Sequence, residues 1–344
     1  MAHGIVPPYL LIRIARLDEP RYAAAAEAAA NALRLDAPLR AVRMTLSIGE
    51  DDTLVAEFED RANRTVYDAD NREELPGRAV RGEGDGPVGD LAVDEAYDGL
   101  GATFTFFSEV LGRNSIDGSG LPLDATVHFG RLYDNAFWDG RQMVFGDGDG
   151  EIFGRFTGSL TVIGHELAHG VTQYTANLEY QGQSGALNES LSDVFGALVE
   201  QYALGQTAAE ASWLIGAGLF TEEVAGAALR SMKAPGTAYD DDVLGRDPQP
   251  AHMRDYIDTE DDNGGVHLNS GIPNRAFYLA ATALGGSAWE VAGRIWYDAL
   301  GGQLERTADF AAFAASTLTA AAPYGDDAVT AVWEAWEGVG VHHG

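Results

Sequence analysis

The chain has 344 residues and no cysteine, which excludes disulfides, thiolate catalysis and cysteine-based zinc sites. Its 53 acidic against 22 basic side chains give a formal charge of −31, so nucleic acid and anionic membranes are disfavoured partners. Apolar residues make up 46% but never run for the ~18 positions a bilayer span needs, so no membrane role is expected and the length reads as about two globular domains.

The first sixty or so residues carry no chemical motif. Pro7-Pro8 marks a turn, an apolar-basic run covers 9–16, residues 21–35 read as an Ala-rich helix, and 44–48 and 53–58 read as strands. Composition leaves three roles open here: a folded appendage, a dimerisation arm or a prosegment. The extreme N-terminus lacks a basic start followed by an apolar run, so no secretory signal peptide is legible and export is expected by another route, from a cytoplasmic precursor.

From 65 to 150, turn signals alternate with strands at 125–130 and 136–145, and one helix is expected at 91–111. This is an α+β pattern. Beyond 158 the helical period dominates, at 159–175, 184–204, 271–284, 288–300, 308–319 and 326–336. Acidic, glycine-rich loops fall at 82–90, 240–247 and 258–265; the first two read as solvated surface.

One helix carries His165-Glu166-Leu167-Ala168-His169. Positions i and i+4 share a helix face, so both imidazoles can reach one zinc ion while Glu166 is offset toward the place of an attacking water. A hydrolytic zinc site needs a third protein ligand. Glu189 offers one, twenty residues after His169 on a second helix, across the turn-rich stretch 180–185. Asp193, one turn further on, could accept the free ring N–H of a ligand histidine. The alternative for Glu189 and Asp193 is a solvent-facing acidic pair.

The run from Gly164 to Gly196, with its HELAHGVTQYTANLEYQ and SGALNESLSDVFG blocks, resembles the thermolysin-like zinc metallopeptidases. YDNAFWDG at 133–140, GDGDG at 146–150, LRSM at 229–232 and DNGGVHLNSG at 262–271 match in the same order, so the resemblance covers about 65 to the C-terminus. It implies an α+β, two-lobed fold: an N-terminal mixed lobe (64–158), a central zinc-binding helix (159–176) and a C-terminal helical lobe (177–344). Activity is expected to be endopeptidase cleavage with one catalytic zinc on His165, His169 and Glu189, and Glu166 as general base. By the same resemblance His267 and Tyr180 donate to the oxyanion, Asp262 orients His267, and Asp193 steadies a ligand histidine. Asn135, the backbone of Ala136, and Arg230 match groups that hold the substrate main chain. Phe153, Phe156, Val162 and Leu229 match an apolar pocket for the side chain after the scissile bond, which implies a preference for large hydrophobic residues there.

Residues 3–10, His3 to Leu10, look like the start of the short prosegment in the protealysin-like branch, whose members often carry Cys where His3 stands. This implies a prosegment over 1–63 that inhibits its own enzyme and is removed autocatalytically; a permanent N-terminal module is the alternative. Thermolysin's double calcium site is expected to be absent, because Glu200 remains but Thr161, Ser212 and Ala217 replace its other carboxylates. Gly146–Gly150 reads as a tight turn rather than a calcium loop, and no other calcium site is assigned. The expected partners are peptides and the prosegment, and the expected state is a monomer. Two other readings are a zinc hydrolase of a non-peptide amide or ester and an inactive secreted binding protein.

Overall fold

The computed structural model describes residues 3–41 and 61–342, with side chains from 4–36 and 61–342. The strands expected at 44–48 and 53–58 lie outside the described residues.

The sheet is built from β1 (His3–Gly4), β2 (Arg64–Asp68), β3 (Arg78–Gly82), β4 (Leu123–Val127), β5 (Ala136–Trp138) and β6 (Met143–Phe145), in the order β1-β5-β6-β4-β2-β3. β2, β4 and β6 are mutually parallel, while β3, β5 and β1 run against their neighbours. The single strand expected over 136–145 is a hairpin. Asp139 breaks it, its Oδ1 accepting from Arg141 N at 2.8 Å and Gln142 N at 2.9 Å, which turns the chain at Gly140 (φ 102°). The N-terminal segment adds two helices, α1 (Pro8–Ile14) and α2 (Ala23–Ala41). Pro8 opens α1 where a missing N–H costs nothing, and Leu10, Leu11 and Ile14 are buried beneath it.

α3 (Leu91–Thr105) packs on the sheet and runs on into a π-helical turn at Phe106–Val110, together filling the expected 91–111. Asp90 caps α3, its carboxylate accepting from Ala92 N (3.0 Å) and Val93 N (3.3 Å). Next come α4 (Leu160–Gln173), α5 (Gly182–Leu204), the short pair β7 (Leu214–Ile215) and β8 (Arg230–Ser231), then α6 (Asp262–Asn269), α7 (Gly271–Leu284), α8 (Ala292–Gly301), α9 (Phe310–Ala321) and α10 (Asp326–Gly338). α4 touches both α3 and β5 of the first lobe and packs along α5 of the second. Glycines allow that approach: a Cβ on Gly164 would lie 3.0 Å from Gly196 Cα, and one on Gly196 only 2.5 Å from Thr161 O. No helix among the described residues is long and apolar enough to cross a membrane.

Candidate metal centre

α4 and α5 bring His165, His169 and Glu189 together in a fully buried cluster, the only group of metal-ligating type among the described residues. The Nε2 atoms of the histidines are 3.1 Å apart, and Glu189 lies 3.5 Å from His165 Nε2 and 3.4 Å from His169 Nε2. Ligand atoms ~2.0–2.1 Å from a tetrahedral zinc are ~3.3 Å apart, so the three spacings fit one ion. Proton placement supports the same reading. His165 Nδ1 faces Asp193 Oδ1 at 2.8 Å and His169 Nδ1 faces Asn188 Oδ1 at 2.7 Å, so each ring carries its proton on Nδ1. Two Nε2 lone pairs then point at each other, beside a buried Glu189 Oε2 with no hydrogen-bond partner. A cation resolves that conflict.

Burial drives the His169 pKa down to about 3, leaving its imidazole neutral as a ligand must be. Burial would raise Glu189, but His267, His169 and His165 together hold it at about 2. Glu166 sits one position past His165, its Oε2 accepting from Trp138 N at 2.9 Å while Oε1 is buried and unpartnered. Burial, then the Glu189 charge, raises the Glu166 carboxyl well above its ordinary value.

His267 and Tyr180 close the other side. Tyr180 donates to Glu189 Oε1 and lies 3.3 Å from His267 Nε2. His267 is set by Asp262, which takes its ring N–H at 2.7 Å and its backbone N–H at 2.9 Å. Asp262 can reach because 262–265 all adopt left-handed φ angles at the start of α6, a turn that Asn263-Gly264-Gly265 tolerates. Behind the metal ligands, Arg230 grips Asp193 through Nε (2.8 Å) and Nη2 (2.7 Å), and Asn274 adds a third donor at 2.8 Å. Burial would raise Asp193, yet Arg230 and His165 hold it well below the usual carboxylate range.

Asn135, Ala136 and Arg230 also meet, around the N-terminal segment. β1 lies antiparallel on the β5 edge; Ile5 N donates to Ala136 O at 3.0 Å, Val6 N to Asn135 Oδ1 at 2.9 Å, and Arg230 Nη1 to Ile5 O at 3.0 Å. Asp36 of α2 takes the other face of the Asn135 amide at 2.9 Å and the Tyr133 hydroxyl at 2.5 Å. The rings of Phe153 and Phe156 pack at a tilt, 5.7 Å apart, and Val162 and Leu229 are buried with them in the core. Four contributors escaped the sequence reading: Asn188 and Ser192 on His169, Asn274 on Asp193, and Asp36. Asn188 alone had a signal, its place next to a ligand on a buried helix.

Comparison with known proteins agrees with this geometry. The family described as "Thermolysin metallopeptidase, catalytic domain" matches residues 44–173, and its "alpha-helical domain" matches 176–341. The chain belongs to the thermolysin family of metallopeptidases. An extracellular metalloprotease of Pectobacterium carotovorum subsp. carotovorum is 59% identical over 283 residues, 82% of each chain. Protease PrtS of Photorhabdus sp. (strain Az29) is 48% identical over 98% of this chain and 92% of its own. Among solved structures, the precursor of protealysin, a metalloproteinase from Serratia proteamaculans, superimposes with a TM-score of 0.89 at 53% identity, covering 99% of this chain and all of that one. This thermolysin-family member is therefore a protealysin-like metallopeptidase, with the α+β lobe and helical lobe of that family.

Proposed function

We propose that the chain is the precursor of a secreted zinc endopeptidase with a removable N-terminal arm, residues 1–63, whose Ile5 and Val6 occupy the substrate groove until the enzyme cuts the arm away. One observation carries the reading: Ala136 O, Asn135 and Arg230, the groups expected to hold a substrate main chain, hold Ile5 and Val6 instead. The arm adds a strand to an open sheet edge, the way an extended peptide docks. Gly4 is required for that approach, since a Cβ there would sit 2.2 Å from Asn135 Nδ2.

His165, His169 and Glu189 would hold a zinc ion, which when bound would acidify a water and polarise the scissile carbonyl. Glu166, its Oε2 held by Trp138 N, is placed to take a proton from an attacking water through Oε1 and to pass that proton to the leaving amine. Tyr180 O–H and the protonated His267 ring donate to the oxyanion, with Asp262 holding the imidazolium. Burial would discharge His267, but Asp262 and then Glu189 raise its pKa. Arg230 steadies Asp193, and through it His165, while its remaining donor reads a main-chain carbonyl. Phe153, Phe156, Val162 and Leu229 select a large apolar side chain after the scissile bond, at ~0.8 kcal/mol per buried CH₂.

We propose too that no double calcium site flanks α4 among the described residues. Thr161 Oγ1 is spent on Gly216 N at 2.9 Å and Ser159 Oγ at 3.0 Å, and Ser212 Oγ on Leu214 N at 3.3 Å. A calcium chelator too weak to strip zinc is expected to leave stability unchanged. The test of the whole reading is casein hydrolysis by the processed enzyme with a zinc chelator and zinc add-back. Loss and recovery of cleavage are expected; cleavage indifferent to the chelator would overturn it.

A further inference from the structure

We propose that Asp134 and Asp149 share one proton, and that this buried acid pair positions both Asn135 and the loop carrying Phe153. The positioning half rests on the reading of Asn135 as a main-chain contact. Asp134 is fully buried and Asp149 nearly so. Neither Asp134 oxygen makes a well-formed hydrogen bond, and Asp149 Oδ2 is in the same state. The other Asp149 oxygen is fully engaged, accepting from Glu151 N (2.7 Å), Ile152 N (2.6 Å) and Phe153 N (3.1 Å). Those bonds fix the Asp149 side chain, which lies against the Asp134 carboxyl along with its own N–H.

Two ionised carboxylates cannot occupy such a place, because burial and mutual repulsion both oppose it. One proton turns the orphan acceptors into an O–H···O⁻ bond, a short and strong type. The charged groups acting on Asp134, Asp149 and Glu151, are both acidic, and Asp36 lies close by on Tyr133 and Asn135. Burial, then the Asp149 charge, raises the Asp134 pKa well above the carboxylate range.

The location gives the pair its role. Asp134 stands between Tyr133, whose carbonyl accepts from Gly148 N at 3.3 Å, and Asn135, whose carbonyl accepts from Gly146 N at 2.9 Å. Loop 146–153 is thus laced to residues 133–135 by backbone on both sides of the acid pair. The loop leaves no room for replacement, since a Cβ on Gly146 would lie 1.9 Å from Tyr133 O. Losing the shared proton at alkaline pH sets two carboxylates against each other under the groove, so Asn135 and Phe153 lose their setting together. The raised pKa makes the pair's stabilisation complete at low pH and lost as pH rises through the folded-state value.

The test compares the parent chain with Asp134→Asn, whose amide N–H replaces the shared proton permanently. Both carry His128→Gln, because His128 loses its own proton near pH 9. The infrared difference in D2O at neutral pH should show a protonated-acid carbonyl band present in the parent only. Melting temperature should fall with rising pH more steeply in the parent than in Asp134→Asn. In the processed enzymes, the KM for a peptide should rise at alkaline pH at least ~3-fold more in the parent, with kcat little changed. Asp134→Ala should raise KM at every pH; if it fails to fold, Asp149→Asn should reproduce the Asp134→Asn rescue. No acid band and parallel melting curves would overturn the shared proton, as would a calcium-chelator effect on melting seen only in the parent, which would place a cation there. An acid band with unchanged KM would overturn the positioning half. Asn135→Ala with unaltered KM would remove the substrate reading and leave the infrared and melting results standing.

Discussion

The α4–α5 helix pair and the N-terminal arm are both buried against the same groove, yet they are held by different kinds of contact. In the helix pair each metal-ligating histidine has its own acceptor, Asp193 or Asn188, and Asp193 is gripped in turn by Arg230 and Asn274. Neither acceptor bonds the arm, and Arg230 is the one group that serves both regions. The arm buries Ile5, Val6, Leu10, Leu11 and Ile14 completely, but its polar anchors are Ala136 O, the Asn135 amide and Arg230, which would equally suit another extended chain. Burial is alike in the two regions; replaceability is not. A site is permanent when its hydrogen-bond partners are dedicated, and an inhibitor is removable when it borrows partners that substrate can take over.

The sharpest way to separate the regions is to disable chemistry and keep structure. Glu166→Ala should retain zinc, measured by metal analysis, while casein hydrolysis falls at least ~10²–10³-fold, the loss of ~2.7–4 kcal/mol typical of removing one group that stabilises a transition state. Turnover near that of the parent would contradict it. Next in size is a dedicated partner. Asn188→Ala should lower zinc affinity about 10–100-fold in a chelator competition, the usual cost of losing a hydrogen bond that orients a ligand histidine. An unchanged affinity would mean that Ser192 suffices.

The arm should yield to a smaller blow. Gly4→Ala drives a methyl into Asn135 and is expected to weaken the arm's hold about 10-fold, read as faster appearance of processed enzyme and earlier casein cleavage by the precursor. Helix pair and zinc content should not change. The smallest effect expected is at His128, a residue of neither region. Its ring bonds Asp147 at 2.8 Å and Asp90 at 3.1 Å, and the Asp147 bond outweighs burial to raise its pKa to about 9. The stabilisation is complete below about pH 6.5 and lost as pH rises through about 9. His128→Gln should remove that slope from chemical-denaturation curves, worth about 1 kcal/mol once the exposure of Asp90 is discounted.

Much of the helix pair is legible in the sequence. Helical spacing puts His165 and His169 on one face, and the family blocks carried Glu189, Asp193 and His267. Where the reading fell short, the cause was tertiary. Asp139 and Gly140 cut an apparent long strand into a hairpin, because a side chain bonding its own backbone beats the β-propensity around it. The arm's docking was expected in outline, but its anchors were not. Nothing in an Ala-rich helix says that Asp36 turns toward Asn135, because that depends on how α2 lies on the first lobe. The acid pair was invisible for the same reason: Asp134 and Asp149 fall in separate blocks and meet only when the loop folds back.

The central claim is that the arm and substrate compete for one set of groups and that the enzyme's own chemistry ends the competition. Incubating the purified precursor beside Glu166→Ala tests it directly, with mass spectrometry and casein hydrolysis followed in the same samples. The account predicts that an N-terminal fragment of about sixty residues appears in the wild type alone, and that activity rises as it appears. The same fragment from Glu166→Ala, or full activity in a precursor whose arm is still attached, would contradict it.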